Sequence, residues 1–304
     1  MSVLSKYLKS RQKLVDAELR RRLPTARTRP ATIHEAMRYS VFAGGKRLRP
    51  ILGLAAAEAC GADGEAKADT GFSNALTLGA AVEILHTYTL IHDDLPCMDD
   101  DDFRRGNPTC HKVYGEGIAV LAGDALLTLA FEIVAAIQAP KRYPLAEFVR
   151  ELADTGGSRK LIGGQVLDLE GEGQGAEITA AQLQFIHESK TAALLTTSIR
   201  FGGMAANATP KQLEALTVFG HSLGLAFQVI DDILDVTQTS EKLGKSAGKD
   251  EAAGKATYPA LFGLEKSRAE AARLTDKARE ALKVFGKNGE RLREIADYLL
   301  DRDY

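Results

Sequence analysis

A chain of 304 residues with 45% hydrophobic and 26% charged side chains has the balance of a soluble globular protein with a substantial core, which excludes disorder. Its formal charge of −2 excludes a nucleic-acid binder that displaces counterions from phosphates, since that needs a surplus of Lys and Arg. Cys60, Cys97 and Cys110 are too few for a disulfide framework or a four-thiolate zinc site, so they read as free thiols of a reducing cytoplasm.

At the N-terminus, the spacing of Leu4, Leu8, Leu14, Val15 and Leu19 predicts an amphipathic helix. The Arg content there is also that of an organelle transit segment, but Asp16, Glu18 and the apolar spacing favour a structural helix. This stretch holds no apolar run long enough for a signal peptide or a membrane span, and no stable membrane insertion is expected. GGKRLRP follows, in which Gly44 and Gly45 let backbone approach an anion closely beside Lys46, Arg47 and Arg49. Leu76, Ala80, Val82, Leu85 and Leu90 then recur at helical intervals. Breakers stand between the periodic stretches, at Gly61 to Gly64, Pro140 to Pro144, Gly171 to Gly175 and Asn207 to Pro210. No strand of period two with hairpin turn chemistry is read anywhere. The expectation is all-α: one domain over residues 1–304, a single large bundle of about ten or more helices joined by short loops.

IHDDLPCMDDDDFRRG places six aspartates in ten positions, Asp93, Asp94 and Asp99 to Asp102. Each carboxylate pair at ~4 Å costs ~1 kcal/mol even in bulk water, so the cluster invites divalent cations. Oxygen-only ligation points to magnesium, manganese or calcium rather than zinc. The bland alternative is a solvated acidic loop. Arg104 and Arg105 follow at once, however, setting an anion-binding edge beside a cation-binding one, which suits a metal-bound polyanion such as a diphosphate. An EF-hand loop is excluded, because Phe103, Arg104 and Cys110 stand where its fifth ligand, its glycine and its bidentate glutamate belong.

In FQVIDDILDV, Asp231 and Asp235 are four apart and project from one helix face, with Asp232 about 100° around. Aspartates at that spacing repel and form helix poorly, so on an otherwise apolar helix they point to function. Two such clusters facing each other across a bundle would hold cations between them. Lys190 in HESKTAALL, Lys245 in LGKSAGKD and Lys255 in GKATYP are further basic candidates. His86 stands seven residues before Asp93, almost two turns, and Gln228 three before Asp231, which puts each on the face of its aspartate.

The motifs GGKRLRP, HTYTLIHDDLPCMDDDDFRRGNPTCHKVYGE, LAGDALLTLAF, GGQVLDLEGE, HESKTAALL, FQVIDDILDV and GKDEAAGKATYPALFGLE resemble, in order and along nearly the whole chain, the short-chain trans-prenyl diphosphate synthases, the farnesyl and geranylgeranyl diphosphate synthase family. The resemblance implies a helical bundle around a deep central cavity. It also implies magnesium ions, three per site with manganese as a substitute, isoprenoid diphosphates as partners, and a homodimer. In its terms Asp93, Asp99 and Asp231 are metal ligands, with Asp94, Asp232 and Asp235 alongside. Arg104, Lys190, Thr191, Gln228, Lys245 and Lys255 contact the allylic diphosphate, and Gly45, Lys46, Arg49, His86 and Arg105 form the isopentenyl diphosphate site. Gln165 and Asp168 line the cavity between the motifs.

Tyr88 and Thr89 lie beneath the first motif. Tyr88 precedes Asp93 by five residues, roughly 7.5 Å along a helix, where a chain of two or three isoprene units ends. The expectation is a farnesyl diphosphate synthase whose product lengthens in Tyr88→Ala, with a geranylgeranyl synthase as the alternative. A class I terpene cyclase is disfavoured by the absence of Trp and 6% aromatics. A non-catalytic synthase subunit is disfavoured because both acidic motifs are present. The ending DRDY lacks the basic tail of some relatives and leaves Arg302 alone for any clamp there.

Overall fold

The computed structural model describes residues 2–64, 69–171, 178–237 and 257–300. Among them the elements are α1 (Val3–Arg22), α2 (Ala31–Phe42), α3 (Leu48–Ala59), α4 (Thr70–Asp93), β1 (Phe103–Arg104), β2 (Asn107–Pro108), α5 (Cys110–Tyr114), α6 (Glu116–Ala135), α7 (Leu145–Gly156), α8 (Leu161–Gly171) and α9 (Ala180–Ile186). A π-helical segment, His187–Ala192, leads into α10 (Ala193–Ala205), followed by α11 (Pro210–Thr237), α12 (Tyr258–Phe262), α13 (Leu264–Ala281), a 3-10 turn and α14 (Glu290–Leu300). The fold is all-α, as expected. Lys245, Lys255 and Arg302 lie outside the described residues.

The 24-residue α4 is the axis. Asp69 starts it by accepting the Phe72 amide at 2.7 Å, which satisfies one of the donors that every helix N-terminus leaves open. The helix is buried on every side, packing on α1, α3, α6 and α10, so its apolar residues need no single face. It stops at Asp93 because Pro96 cannot continue a helical ladder. α11 is the second long helix and packs on α10 and α13.

Two buried clusters make the core. One joins α1, α2, α4, α6 and α7, the other α11, α13 and α14, and residues of α3 and α10 belong to both. α3 and α10 cross closely enough that a Cβ on Gly202 would strike the Gly53 carbonyl, which is why glycine is needed there. Phe148 of α7 and Phe201 of α10, both buried, meet at a centroid distance of 5.7 Å, each contributing roughly 2–3 kcal/mol by removal from water.

One strand pair departs from the sequence expectation. Phe103 pairs with Pro108 and Arg104 with Asn107, and the turn residues Arg105 and Gly106 have φ of 53° and 80°. Two successive positive φ values are those of a tight hairpin turn, which an Arg-Gly pair signals only weakly. α6 and α11 are each long and apolar enough to cross a membrane by length and composition. α11 is largely buried in the core, whereas α6 leaves Val120 and Leu121 exposed.

Candidate active site

Asp93 and Asp94 close α4 with their carboxylates buried. The amide of Gln165, on α8, donates to Asp93 Oδ1. Beyond Pro96 the chain folds back so that the Asp99 amide donates to the Asp93 carbonyl at 2.8 Å, placing the two aspartates side by side. Burial pushes the Asp93 carboxyl up to about 6; Lys190 opposes this and Asp99 adds to it. An ion there would relieve both the burial cost and the crowding. The donors are carboxylate and amide oxygens, a set suited to hard divalent cations.

Asp94 faces elsewhere. Arg104, half-buried, holds it through Nε at 2.7 Å and Nη2 at 2.5 Å, so the hairpin is tied to the end of α4 by an ion pair whose carboxylate is buried. Burial raises the Asp94 carboxyl and the Arg104 hydrogen bonds oppose it.

Across the bundle, a cavity of about 170 Å³ is lined by Asp168, His187, Lys190, Thr191, Gln228, Asp232 and Thr257. Gln228 and Asp232, four residues apart, are the α11 side chains that reach it. Asp231 is half-buried and Asp235 buried. Lys190 Nζ reaches Asp168 Oδ2 at 2.6 Å. Lys190 and Thr191 belong to the π segment, a widened turn that recurs at functional sites.

On the α3 side, Arg49 Nη1 lies 3.2 Å from His86 Nε2. Burial, then the cations Arg49 and Arg105, lower the His86 pKa well below its usual range, so the ring is neutral at pH 7 and accepts from Arg49. The Arg105 guanidinium lies across Gly44 and Gly45, donating to the Gly44 carbonyl, and a Cβ at Gly45 would strike it. The glycine pair thus seats an arginine on the backbone. Lys46 is exposed and lines a different cavity, between the starts of α1 and α3 and Tyr298. Arg47, two residues from Arg49, is spent structurally: buried, with φ of 54°, it bonds Asp16 Oδ1, Glu83 Oε1 and the Val41 carbonyl at 2.9, 2.9 and 2.7 Å.

Tyr88 is buried, its ring edge-on to His92 at 5.5 Å. His92 Nε2 meets the Val120 carbonyl of α6 at 3.0 Å, in space that a Cβ at Gly123 would fill. The tyrosine is therefore braced on the α6 side of α4. Thr89 donates to the His86 carbonyl at 2.8 Å, which satisfies its hydroxyl within the helix.

Sequence reasoning missed His187, whose Nε2 lies 3.6 Å from Asp232 Oδ2; its position three before Lys190 carried no signal of its own. A further cavity of about 860 Å³ lies apart from the aspartate clusters, between α7, α10 and α11. Most of its charges are already paired, as in Arg200 with Glu151 and Lys160 with Asp154.

The comparisons agree with this geometry. The sequence profile of the family described as polyprenyl synthetase matches residues 30–297. The chain is 49% identical over 278 residues to the chloroplastic geranylgeranyl pyrophosphate synthase of Capsicum annuum, covering 90% of this chain and 72% of that one. It is 47% identical over 285 residues to the chloroplastic heterodimeric geranylgeranyl pyrophosphate synthase large subunit 1 of Arabidopsis thaliana, covering 92% and 74%. The crystal structure of an FPP/GFPP synthase from Zymomonas mobilis superposes with a TM-score of 0.83 at 34% identity, covering 98% of each chain.

One expectation is corrected here. Cytoplasmic location was read from Cys60, Cys97 and Cys110, which are free thiols, but the relatives above are named as chloroplastic enzymes. Free thiols report reducing conditions, which more than one compartment provides. Two acidic clusters set at the ends of two long helices, flanked by the basic residues that a diphosphate needs and matched in sequence and fold along nearly the whole chain, lead to one identification: this chain is a prenyltransferase belonging to the polyprenyl synthetase family, among its short-chain trans-prenyl diphosphate synthases.

Proposed function

We propose that this enzyme is a magnesium-dependent geranylgeranyl diphosphate synthase, which adds isopentenyl diphosphate to allylic diphosphates until the product has twenty carbons. The reading is carried by the relatives at 47 to 49% identity, which are named for that product. The neighbour named FPP/GFPP synthase stands at 34%. Tyr88 was expected to stop the product at fifteen carbons. Its ring is braced toward α6 by His92, which supports a path that runs past it. The 304 residues are read as one catalytic domain, because α3 and α10 serve both core clusters.

In this reading Arg104, Lys190, Thr191 and Gln228 hold the allylic diphosphate, with Lys245 and Lys255 as further contacts. Arg49, His86 and Arg105, with Gly45 beneath and Lys46 at the rim, hold isopentenyl diphosphate. Magnesium ions held by Asp93, Asp99 and Asp231, with Asp232 and Asp235 alongside, would neutralise the leaving diphosphate and so favour its departure. The allylic C1–O bond breaks with both electrons leaving on diphosphate. The isopentenyl alkene attacks C1, and the departed diphosphate takes the proton whose loss forms the new double bond. Thr191 and Gln228 turn their dipoles to the cation, while the buried walls keep water from quenching it.

The test is product chromatography with labelled isopentenyl diphosphate, magnesium and separate ten- and fifteen-carbon primers. Twenty-carbon diphosphate is expected as the main product from both. A main product of fifteen carbons would return Tyr88 to the role of floor and end the geranylgeranyl reading; no incorporation with any primer would end the enzyme reading.

We also propose a homodimer through α6. Less than half of this strongly apolar helix is buried, and Val113, Val120 and Leu121 stand exposed along or beside it. A second copy would cover them. The Arabidopsis relative named as a heterodimer subunit supports pairing of such chains. Light scattering should give twice the chain mass, and Leu121→Asp should give a monomer; a wild-type monomer removes the proposal.

A further inference from the structure

We infer that His187 is a positioning residue for the second acidic cluster: with the backbone N–H of Tyr258 it holds one oxygen of Asp232 and so sets the direction of that carboxylate. His187 opens the π segment, buried with 6% of its surface exposed. Its ring stacks on Tyr258, centroids 5.5 Å apart and planes at 26°. The Tyr258 amide donates to Asp232 Oδ2 at 2.9 Å, and His187 Nε2 approaches the same oxygen at 3.6 Å. That is longer than a hydrogen bond, so the imidazole acts on the carboxylate through the dipole of its N–H rather than through a bond. An oxygen restrained from two sides fixes the carboxylate plane, and with it the line along which the other oxygen points.

The placement is costly in a way that packing alone does not explain. His187 Nδ1 is buried with no hydrogen-bond partner, and a phenyl ring would fill the same slot and stack on Tyr258 without leaving a polar atom unmet. The imidazole also links three elements of the site. It lies on the segment that carries Lys190, touches Asp232 of α11, and packs on the first residue of α12. Groups that orient a metal-binding carboxylate without binding the ion alter affinity by about tenfold or more when removed.

The inference rests on the magnesium-dependent reading above, and its test separates the two. His187→Phe keeps the stack and loses the N–H; His187→Gln keeps a donor. Mn²⁺ affinity is measured by EPR with inorganic diphosphate present, alongside the magnesium dependence of the rate, both KM values and the melting temperature. His187→Phe should bind Mn²⁺ about tenfold more weakly and need correspondingly more magnesium. Its kcat should fall while KM for isopentenyl diphosphate stays within about twofold, because His187 does not reach the Arg49–His86 side. His187→Gln should recover most of the loss. Wild-type Mn²⁺ affinity in His187→Phe, or equal weakening in both variants, overturns the assignment. If His187→Phe does not fold, Tyr258→Leu removes the stack that braces the ring and should weaken Mn²⁺ in the same direction; unchanged affinity there overturns it equally. Wild-type protein that works in EDTA and binds no Mn²⁺ overturns the magnesium reading itself.

Discussion

Asp93→Asn is expected to be more stable than the wild-type chain at pH 7 without divalent metal, and on the order of a thousandfold slower with magnesium, the scale of losing a principal electrostatic group. Burial raises the folded-state pKa of Asp93 to about 6, above an unfolded value near 3.9. A group raised in this way favours the folded state below its unfolded pKa and loses that contribution as pH rises through its folded value. By pH 7 its charge therefore costs about 3 kcal/mol, at 1.36 kcal/mol for each pKa unit. Asparagine can still accept from Gln165 and carries no charge, so it removes the cost. The depressed His86 and His187 act with the opposite sign but are common to both chains, and they cancel in the difference. Urea unfolding between pH 4 and 8 is the measurement: the gap should open above pH 5 and close near pH 4. Adding magnesium with inorganic diphosphate should favour the wild type, because ligands stabilise the state that binds them. An Asp93→Asn chain less stable than wild type at pH 7 would contradict the burial argument.

Arg104→Met should lose both stability and substrate. Asp94 is 3% exposed, and Arg104 supplies its ion pair through Nε and Nη2. Deleting one partner leaves a buried charge uncompensated, which costs about 3–5 kcal/mol. In the proposed site the same arginine grips the allylic diphosphate, so KM for the allylic substrate should rise on the order of tenfold to a hundredfold, more than KM for isopentenyl diphosphate. The double variant Arg104→Met with Asp94→Asn separates the roles, since it removes the orphaned charge. Most of the stability should return while the allylic KM stays high. Full recovery of activity in the double variant would show that Arg104 acts only as the anchor of Asp94.

How much of the site can be read from the chain varies residue by residue. Arg47 and Arg49 look equivalent in GGKRLRP, yet the left-handed backbone at Arg47 turns its guanidinium to Asp16 and Glu83, leaving Arg49 for His86. Asp231 and Asp235 share a helix face by their spacing, while the α11 side chains that line the cavity of about 170 Å³ are Gln228 and Asp232, a choice set by the packing of α11 on α10 and α13. Tyr88 read as a floor from its distance along the helix. Distance along an axis does not say which way a ring leans, and here His92 and the gap over Gly123 decide it.

The all-α class and the two acidic clusters follow from the sequence alone, because helical periodicity and the density of like charge are local properties readable within ten or twenty residues. The pairing of Asp99 with Asp93 across the proline break, the arginine seated on Gly44 and Gly45, the π segment under Lys190 and the His187 contact with Asp232 were decided only by tertiary structure. Each relates groups whose separation depends on how whole helices pack, and no local pattern carries that distance.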